Sequence, residues 1–199
     1  MLHPLPTLKE TPSQTAGPYV HIGLTPNFSE LRGIYGEDPG AVMLTPDTRG
    51  QRIVVTGRIS DGAGAPVADA VIECWQADSD GAYGTTPSFS GWGRQPVDAG
   101  GVFRFETVKP GAVAAPDGTP MAPHLALWIV ARGINIGLQT RCYFSDEAEA
   151  NATDFVLMRI PDPRRRATLI ARRSDAEGPP TYWLDIHLQG EDETVFFDV

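Results

Sequence analysis

Cysteine is scarce in this chain of 199 residues, with only Cys74 and Cys142 present. They share no short spacing and each lies in an apolar, strand-like run, which excludes a paired-cysteine metal motif and leaves two buried free thiols as the expected state, a disulfide being the minor alternative. Positive charge is also short: 16 Lys and Arg stand against 25 Asp and Glu, a net charge of −9. The longest basic run is Arg164-Arg165-Arg166, read as a solvated helix face. Phosphate backbones and acidic membranes both require a cationic footprint, so no nucleic acid and no membrane is expected as a partner. No apolar run approaches the length of a bilayer span, and the opening MLHPLPTLKETPSQ lacks the continuous apolar core of a signal peptide. The expectation is a soluble, cytoplasmic protein.

What the chain has in quantity is punctuation, 21 Gly and 18 Pro without a repeat, which implies many turns between short strands. Alternating and β-branched runs predict strands over Gln51 to Ser60, Ala70 to Asp78, Val102 to Val108, His124 to Arg132, Leu138 to Phe144 and Thr181 to Gln189, with a short edge strand at Thr194 to Asp198. Asp61-Gly62-Ala63-Gly64 and Asp98-Ala99-Gly100-Gly101 read as turns that make hairpin-like connections. Asp162 as N-cap and Pro163 as first residue predict a helix running through RRRATLIAR, and a shorter helix is expected over Glu147 to Ala152. Strands of this kind bury their apolar faces by stacking sheets, so the fold class is all-β, an antiparallel β-sandwich with minor short helices. Residues 1–50 lack periodicity but carry Tyr19, Val20, Ile22, Leu24, Phe28, Leu31, Ile34 and Tyr35. That apolar content argues for a long N-terminal arm that wraps on a partner subunit, ahead of a sandwich domain over 51–199.

The stretch Lys109 to Trp128, KPGAVAAPDGTPMAPHLALW, holds one histidine where a metal reading needs two. Residues two apart on a strand point the same way, so a His-x-His pair would aim both imidazoles at one ion; the positions here are His124 and Ala126. A hard ferric ion held without cysteine also needs phenolate oxygen, and the preceding loop offers Val113.

The ordered segments TPSQTAGPY (Thr11 to Tyr19), IECWQADSDGAYG (Ile72 to Gly84), GWGR (Gly91 to Arg94), VKPGA (Val108 to Ala112), APHLALW (Ala122 to Trp128), ARGINIGLQTRCYF (Ala131 to Phe144) and QGEDETVFFD (Gln189 to Asp198) run through nearly the whole chain. Together they resemble the intradiol ring-cleavage dioxygenases. The resemblance implies a ferric ion held by two tyrosines and two histidines, and it sets those positions at Tyr83, Val113, His124 and Ala126. Two of four ligand types remain, so these are degenerate metal positions and no catalytic or metal-binding residue is expected in this chain alone. The implied cofactor, Fe(3+), belongs to a homologous beta subunit, in a higher-order oligomer of alpha-beta units. There the iron would chelate the ring oxygens of protocatechuate, and O2 would open the ring between the hydroxylated carbons to give 3-carboxy-cis,cis-muconate. The resemblance further points to Thr15, Gly17 and Pro18 of the arm, and to Arg132, as residues of this chain that complete the partner's substrate cavity. Arg132 falls on the His124 side by strand parity.

Other histidines and the tryptophans have plainer readings. Tyr83 and His124 without further ligands read as hydrogen-bonded structural residues, and His187 as one of a surface polar set with Trp183 and Asp185. His3 and His21 belong to the arm. Trp75, Trp92 and Trp128 read as core or interface packing. The rival function is a non-enzymatic module, because GRISDGAGAPVADAVIECWQ also resembles transthyretin-like and carboxypeptidase-regulatory-like β-sandwiches.

Overall fold

Every predicted strand run from Gln51 to Gln189 forms strand in the computed structural model, which describes residues 15–115, 117–176 and 178–198. The opening segment, His3 and the first part of the arm motif, Thr11 to Gln14, lie outside the described residues. In chain order, β1 (Arg52–Ser60) and β2 (Val71–Gln76) precede a small hairpin of β3 (Thr85–Thr86) and β4 (Phe89–Ser90). Then come β5 (Trp92–Pro96), β6 (Val102–Val108) and a second small hairpin, β7 (Val113–Ala114) with β8 (Pro120–Met121). The long pair β9 (His124–Val130) and β10 (Leu138–Phe144) follows, and β11 (Ile170–Ser174), β12 (Thr181–Trp183) and β13 (Ile186–His187) come last. The helices are short: α1 (Val20–Leu24), α2 (Ala148–Thr153), α3 (Phe155–Met158) and α4 (Pro163–Ala167).

One layer is built on β1, which pairs antiparallel with β6 on one side and parallel with β12 and β13 on the other. The other layer is the antiparallel run β5-β2-β9-β10. β11 joins them, parallel to β10 and antiparallel to β12. The expected sandwich is therefore present, with three parallel pairings that a strand's two-residue period does not encode. Ile53, Val55, Phe103 and Phe105 of the first layer meet Ile72, Leu125, Leu127 and Phe144 of the second in one buried core. Tyr143, on the opposite face of β10 from Phe144, starts a second cluster with Ala122, Leu157 and Leu169 beneath α3. Cys74 and Cys142 are both free and fully buried in the main core, and burial pushes their thiols up, Cys142 to about 12.

Four corrections concern local structure. The two Asp-Gly turns do form, with Asp61 Oδ1 accepting from Ala63 N and Ala65 N and Asp98 Oδ1 from Gly100 N and Val102 N. Yet β1 does not pair with β2, nor β5 with β6; beyond one antiparallel bridge, Ser60 with Pro66, the turns carry the chain from one layer to the other as corners. The helix opened by Asp162 is capped as expected, Asp162 Oδ1 accepting from Arg164 N at 2.8 Å, but it ends at Ala167. The remaining Ile-Ala-Arg-Arg becomes β11 because two strands, β10 and β12, offer it backbone partners. The run Thr181 to Gln189 is broken into β12 and β13 at Leu184, whose N donates to Thr56 O at 2.9 Å. Its carbonyl presses on Gly57, where a Cβ would come within 1.8 Å of Leu184 O. The C-terminal Thr194 to Asp198 contributes one bridge, Gln139 to Phe197, instead of an edge strand.

The arm is mixed in character. Met43 is buried in the main core, and Arg94 N donates to Gly40 O at 2.8 Å, so this part packs on the sandwich. Tyr19, Ile22, Phe28, Ile34, Tyr35 and Val42 are exposed. Among the described residues, no helix is long and apolar enough to cross a membrane.

Candidate functional site

The four degenerate metal positions are gathered by two loops and the start of β9. Asp78 Oδ1 accepts from Asp80 N and Ala82 N, folding Asp78 to Gly84 into a tight loop with Gly81 at φ +83°. That loop lies against Lys109 to Val113: Gly111 N donates to Asp78 O at 2.8 Å, and a Cβ on Gly81 would sit 2.1 Å from Ala112 O. The contact brings Tyr83 and Val113 to one end of the second layer. Tyr83 is 55% exposed, whereas Val113 is buried and faces Met121 across the β7-β8 pair.

His124, the first residue of β9, is buried, and its Nδ1 donates to the Ala122 carbonyl at 2.8 Å. This bond fixes the tautomer and leaves Nε2 as the free nitrogen. Burial, and after it the charge of Arg141, pushes His124 down to about 4. Ala126, where a second imidazole is wanted, has Arg141 as its cross-strand partner on β10. Arg141 Nη1 donates to the Tyr143 hydroxyl at 3.1 Å and touches Met121 Sδ at 3.8 Å. The Tyr143 hydroxyl donates in turn to Asp154 Oδ1 at 3.1 Å. Asp154 is wholly buried, capping α3 through Val156 N and Leu157 N and accepting from Ala122 N. Burial raises the Tyr143 phenol, against the pull of Arg141, and it raises Tyr83 with the same opposition.

These donors do not fit a ferric ion. One imidazole and one half-exposed phenol are two ligands where four are needed, and the position opposite Ala126 carries a permanent cation, Arg141. No cluster of three or more His, Cys, Asp or Glu able to hold a metal occurs among the described residues. Sequence reasoning missed Arg141. Its signal was present as an arginine inside the apolar run LQTRCYF, but its meaning depends on the β9-β10 register.

The other singled-out residues meet elsewhere. Thr15 Oγ1 accepts from Gly133 N at 2.8 Å and donates to Ala131 O at 3.3 Å, pinning the arm to the turn that contains Arg132. His21 Nε2 lies 3.0 Å from Asp69 O, and Arg132 Nε lies 3.5 Å from Asp69 Oδ2. Gly17 and Pro18 lead into α1, with Val20 N donating to Gly17 O. A Cβ on Gly17 would meet nothing within 4 Å among the described residues. Beside them is a cleft of about 530 Å³ lined by Asp61, Val67, Asp69, Arg132, Ile134 and Leu188. β9 ends at Val130, so strand parity does not extend to Arg132, whose side chain is 66% exposed. At ~3.3 Å per residue it stands roughly 25 Å from His124, at the other end of the strand. The structure thus brings Thr15 to Arg132 and brings neither to the degenerate metal positions.

Trp75, Trp92 and Trp128 lie on the outer face of the second layer, not in the core. Trp75 is exposed and 6.2 Å from the ring of Trp92, whose Nε1 donates to Glu73 and over which Arg94 stacks at 4.9 Å. His187 Nδ1 is 3.0 Å from Ser60 Oγ, while Trp183 Nε1 donates to Asp185 and Arg172 pairs with it.

A sandwich with a tyrosine loop, a second loop against it and a histidine opening the next strand defines a class, and a family model described as Dioxygenase matches residues 24–190. The chain belongs to the intradiol ring-cleavage dioxygenases, an iron-dependent family. It is 47% identical over 205 residues to the protocatechuate 3,4-dioxygenase alpha chain of Pseudomonas putida, covering 98% of this chain and 99% of that one. The protocatechuate 3,4-dioxygenase beta chain of Burkholderia cepacia is 36% identical over 166 residues, covering 73% of this chain and 67% of the relative. Among solved structures, the dioxygenase domain of a dioxygenase carbohydrate-binding protein fusion from Streptomyces sp. SirexAA-E superposes with a TM-score of 0.60 at 26% identity. That match covers 80% of this chain and 94% of the other. The family membership supports the dioxygenase reading and gives none to the stand-alone binding module.

Proposed function

We propose that this chain is the iron-free alpha subunit of a heteromeric protocatechuate 3,4-dioxygenase and works as one half of an alpha-beta complex in the cytoplasm. The observation that carries the reading is near full-length likeness to an alpha chain, in a chain whose own metal positions hold two donors and a guanidinium. The beta chain relative marks the kind of partner. Ring opening with O2 belongs to the iron of that partner, and this chain contributes shape, charge and exclusion of water at the contact.

Three features support a cavity-completing role for the Thr15 and Arg132 end. Thr15 holds the arm to the Ala131-Gly133 turn, which sets the path of Gly17 and Pro18. Gly17 has open space where a partner's backbone would approach. Arg132 presents an exposed cation in a chain of net charge −9, where an aromatic carboxylate would otherwise be repelled. The exposed apolar residues of the arm form the surface that the partner would cover.

The test is coexpression with a beta chain, followed by iron analysis and oxygen uptake with protocatechuate. The complex is expected to carry iron and consume O2, and this chain alone to do neither. Stoichiometric iron and turnover in the isolated chain would overturn the assignment.

A further inference from the structure

We infer that Arg141 excludes a metal cation from the degenerate pocket, so that the pocket is closed to iron by a resident charge as well as by missing ligands. The inference rests on the iron-free reading above and extends it to a residue that no ligand pattern names. Three contacts converge on this one side chain. Arg141 is the cross-strand partner of Ala126, and directly opposed side chains on a sheet lie within ~4.5 to 5.5 Å of one another at Cβ. It touches Met121, which is the strand partner of Val113. Its hydroxyl partner Tyr143 stacks 5.6 Å from the His124 ring. Ala126 therefore opposes Arg141 directly, and Val113 and His124 each meet it through one neighbour.

That guanidinium is held in place. Nη1 is bonded to Tyr143, Tyr143 to the wholly buried Asp154, and Asp154 to three backbone N–H groups around α3 and Ala122. Swinging Arg141 away would break its link to this buried network, which is costly to leave unsatisfied. A guanidinium does not lose its proton in water, so unlike a lysine or histidine it cannot yield to a metal by deprotonation.

The test uses the alpha-beta complex and counts iron per pair, with the unmodified complex as baseline and the visible charge-transfer absorption of iron-bound phenolate as a second readout. Val113→Tyr with Ala126→His is expected to stay at baseline. Adding Arg141→Gln is expected to raise iron about twofold and to add new visible absorption, whereas adding Arg141→Lys, which keeps a positive charge, is expected to do neither. Arg141→Met serves as a second neutral replacement, and assembly with the partner and circular dichroism report that each variant folds. Iron gained by the two-residue variant alone, or gained equally with Lys, would overturn the inference. So would folded Gln and Met variants that stay at baseline. An unmodified complex that already holds about two irons per alpha-beta pair would instead sink the iron-free assignment itself.

Discussion

At the scale of single residues, His124 couples stability to pH. Its imidazole is driven from 6.5 to about 4 by burial and then by Arg141. Since the folded value lies below the unfolded one, the unfolded chain takes up the proton first as pH falls. Stability is full above about 6.5 and is lost down to about 4, a change on the order of 3 kcal/mol. His124→Gln is expected to flatten this limb in a series of urea midpoints against pH; an unaltered slope would show that another group titrates there. Asp146 works with the opposite chemistry. Burial would raise its carboxyl, but hydrogen bonds from Lys109 (2.7 Å), Arg173 (2.7 Å) and the Tyr182 hydroxyl (3.0 Å) outweigh it and hold the group low. Its contribution is present above the ordinary carboxylate range and disappears as pH falls through the lowered folded value. Asp146→Asn should cost about 1 to 3 kcal/mol at neutral pH and less in acid. Tyr83, Val113, His124 and Ala126 were legible because order along a chain survives in its text. Arg141 was not, because opposing it to Ala126 depends on how the Ala131 to Gly137 turn sets the register of β10 on β9.

Elements tell a similar story through glycine. Asp61 to Gly64, Asp78 to Gly81 and Asp98 to Gly101 are the same device, an aspartate accepting two backbone N–H groups and a glycine of positive φ three residues on. Spacing and residue type make such loops readable, since few residues besides glycine tolerate that backbone conformation. What lies at the far side of each loop is not readable, which is why corners between layers look like hairpins in the sequence. Gly57 and Gly64 separate two causes. Gly64 has φ +79° and open space, so Gly64→Ala should cost only about 1 kcal/mol of backbone strain. Gly57 has no positive φ, but its Cβ would strike the Leu184 carbonyl, so Gly57→Ala should cost about 3 kcal/mol. Thermal unfolding of the pair measures the difference, and equal costs would refute the steric account. The helix-like run after Asp162 shows the reverse limit: Arg, Ala, Leu and Ile favour a helix locally, and two waiting strand edges override them at β11.

For the whole molecule, the two ends of β9 differ. His124 is buried at its start, and past its end Arg132 is exposed in a turn tied to the arm through Thr15. In the alpha-beta complex, Arg132→Ala is expected to raise KM for protocatechuate about tenfold, the scale of one charge-assisted hydrogen bond, with iron content unchanged. Normal kinetics would remove Arg132 from the cavity. The parallel pairing of β1 with β12 has a consequence for biosynthesis. Val54 waits for Thr181, and Ile59 for Ile186, so the central strand of one layer keeps an open edge until this far-downstream segment has left the ribosome. A nascent chain stopped before Thr181 should be protease-sensitive and prone to mispair along β1, which makes the last short strands the latch that turns a translated chain into an assembly-competent one.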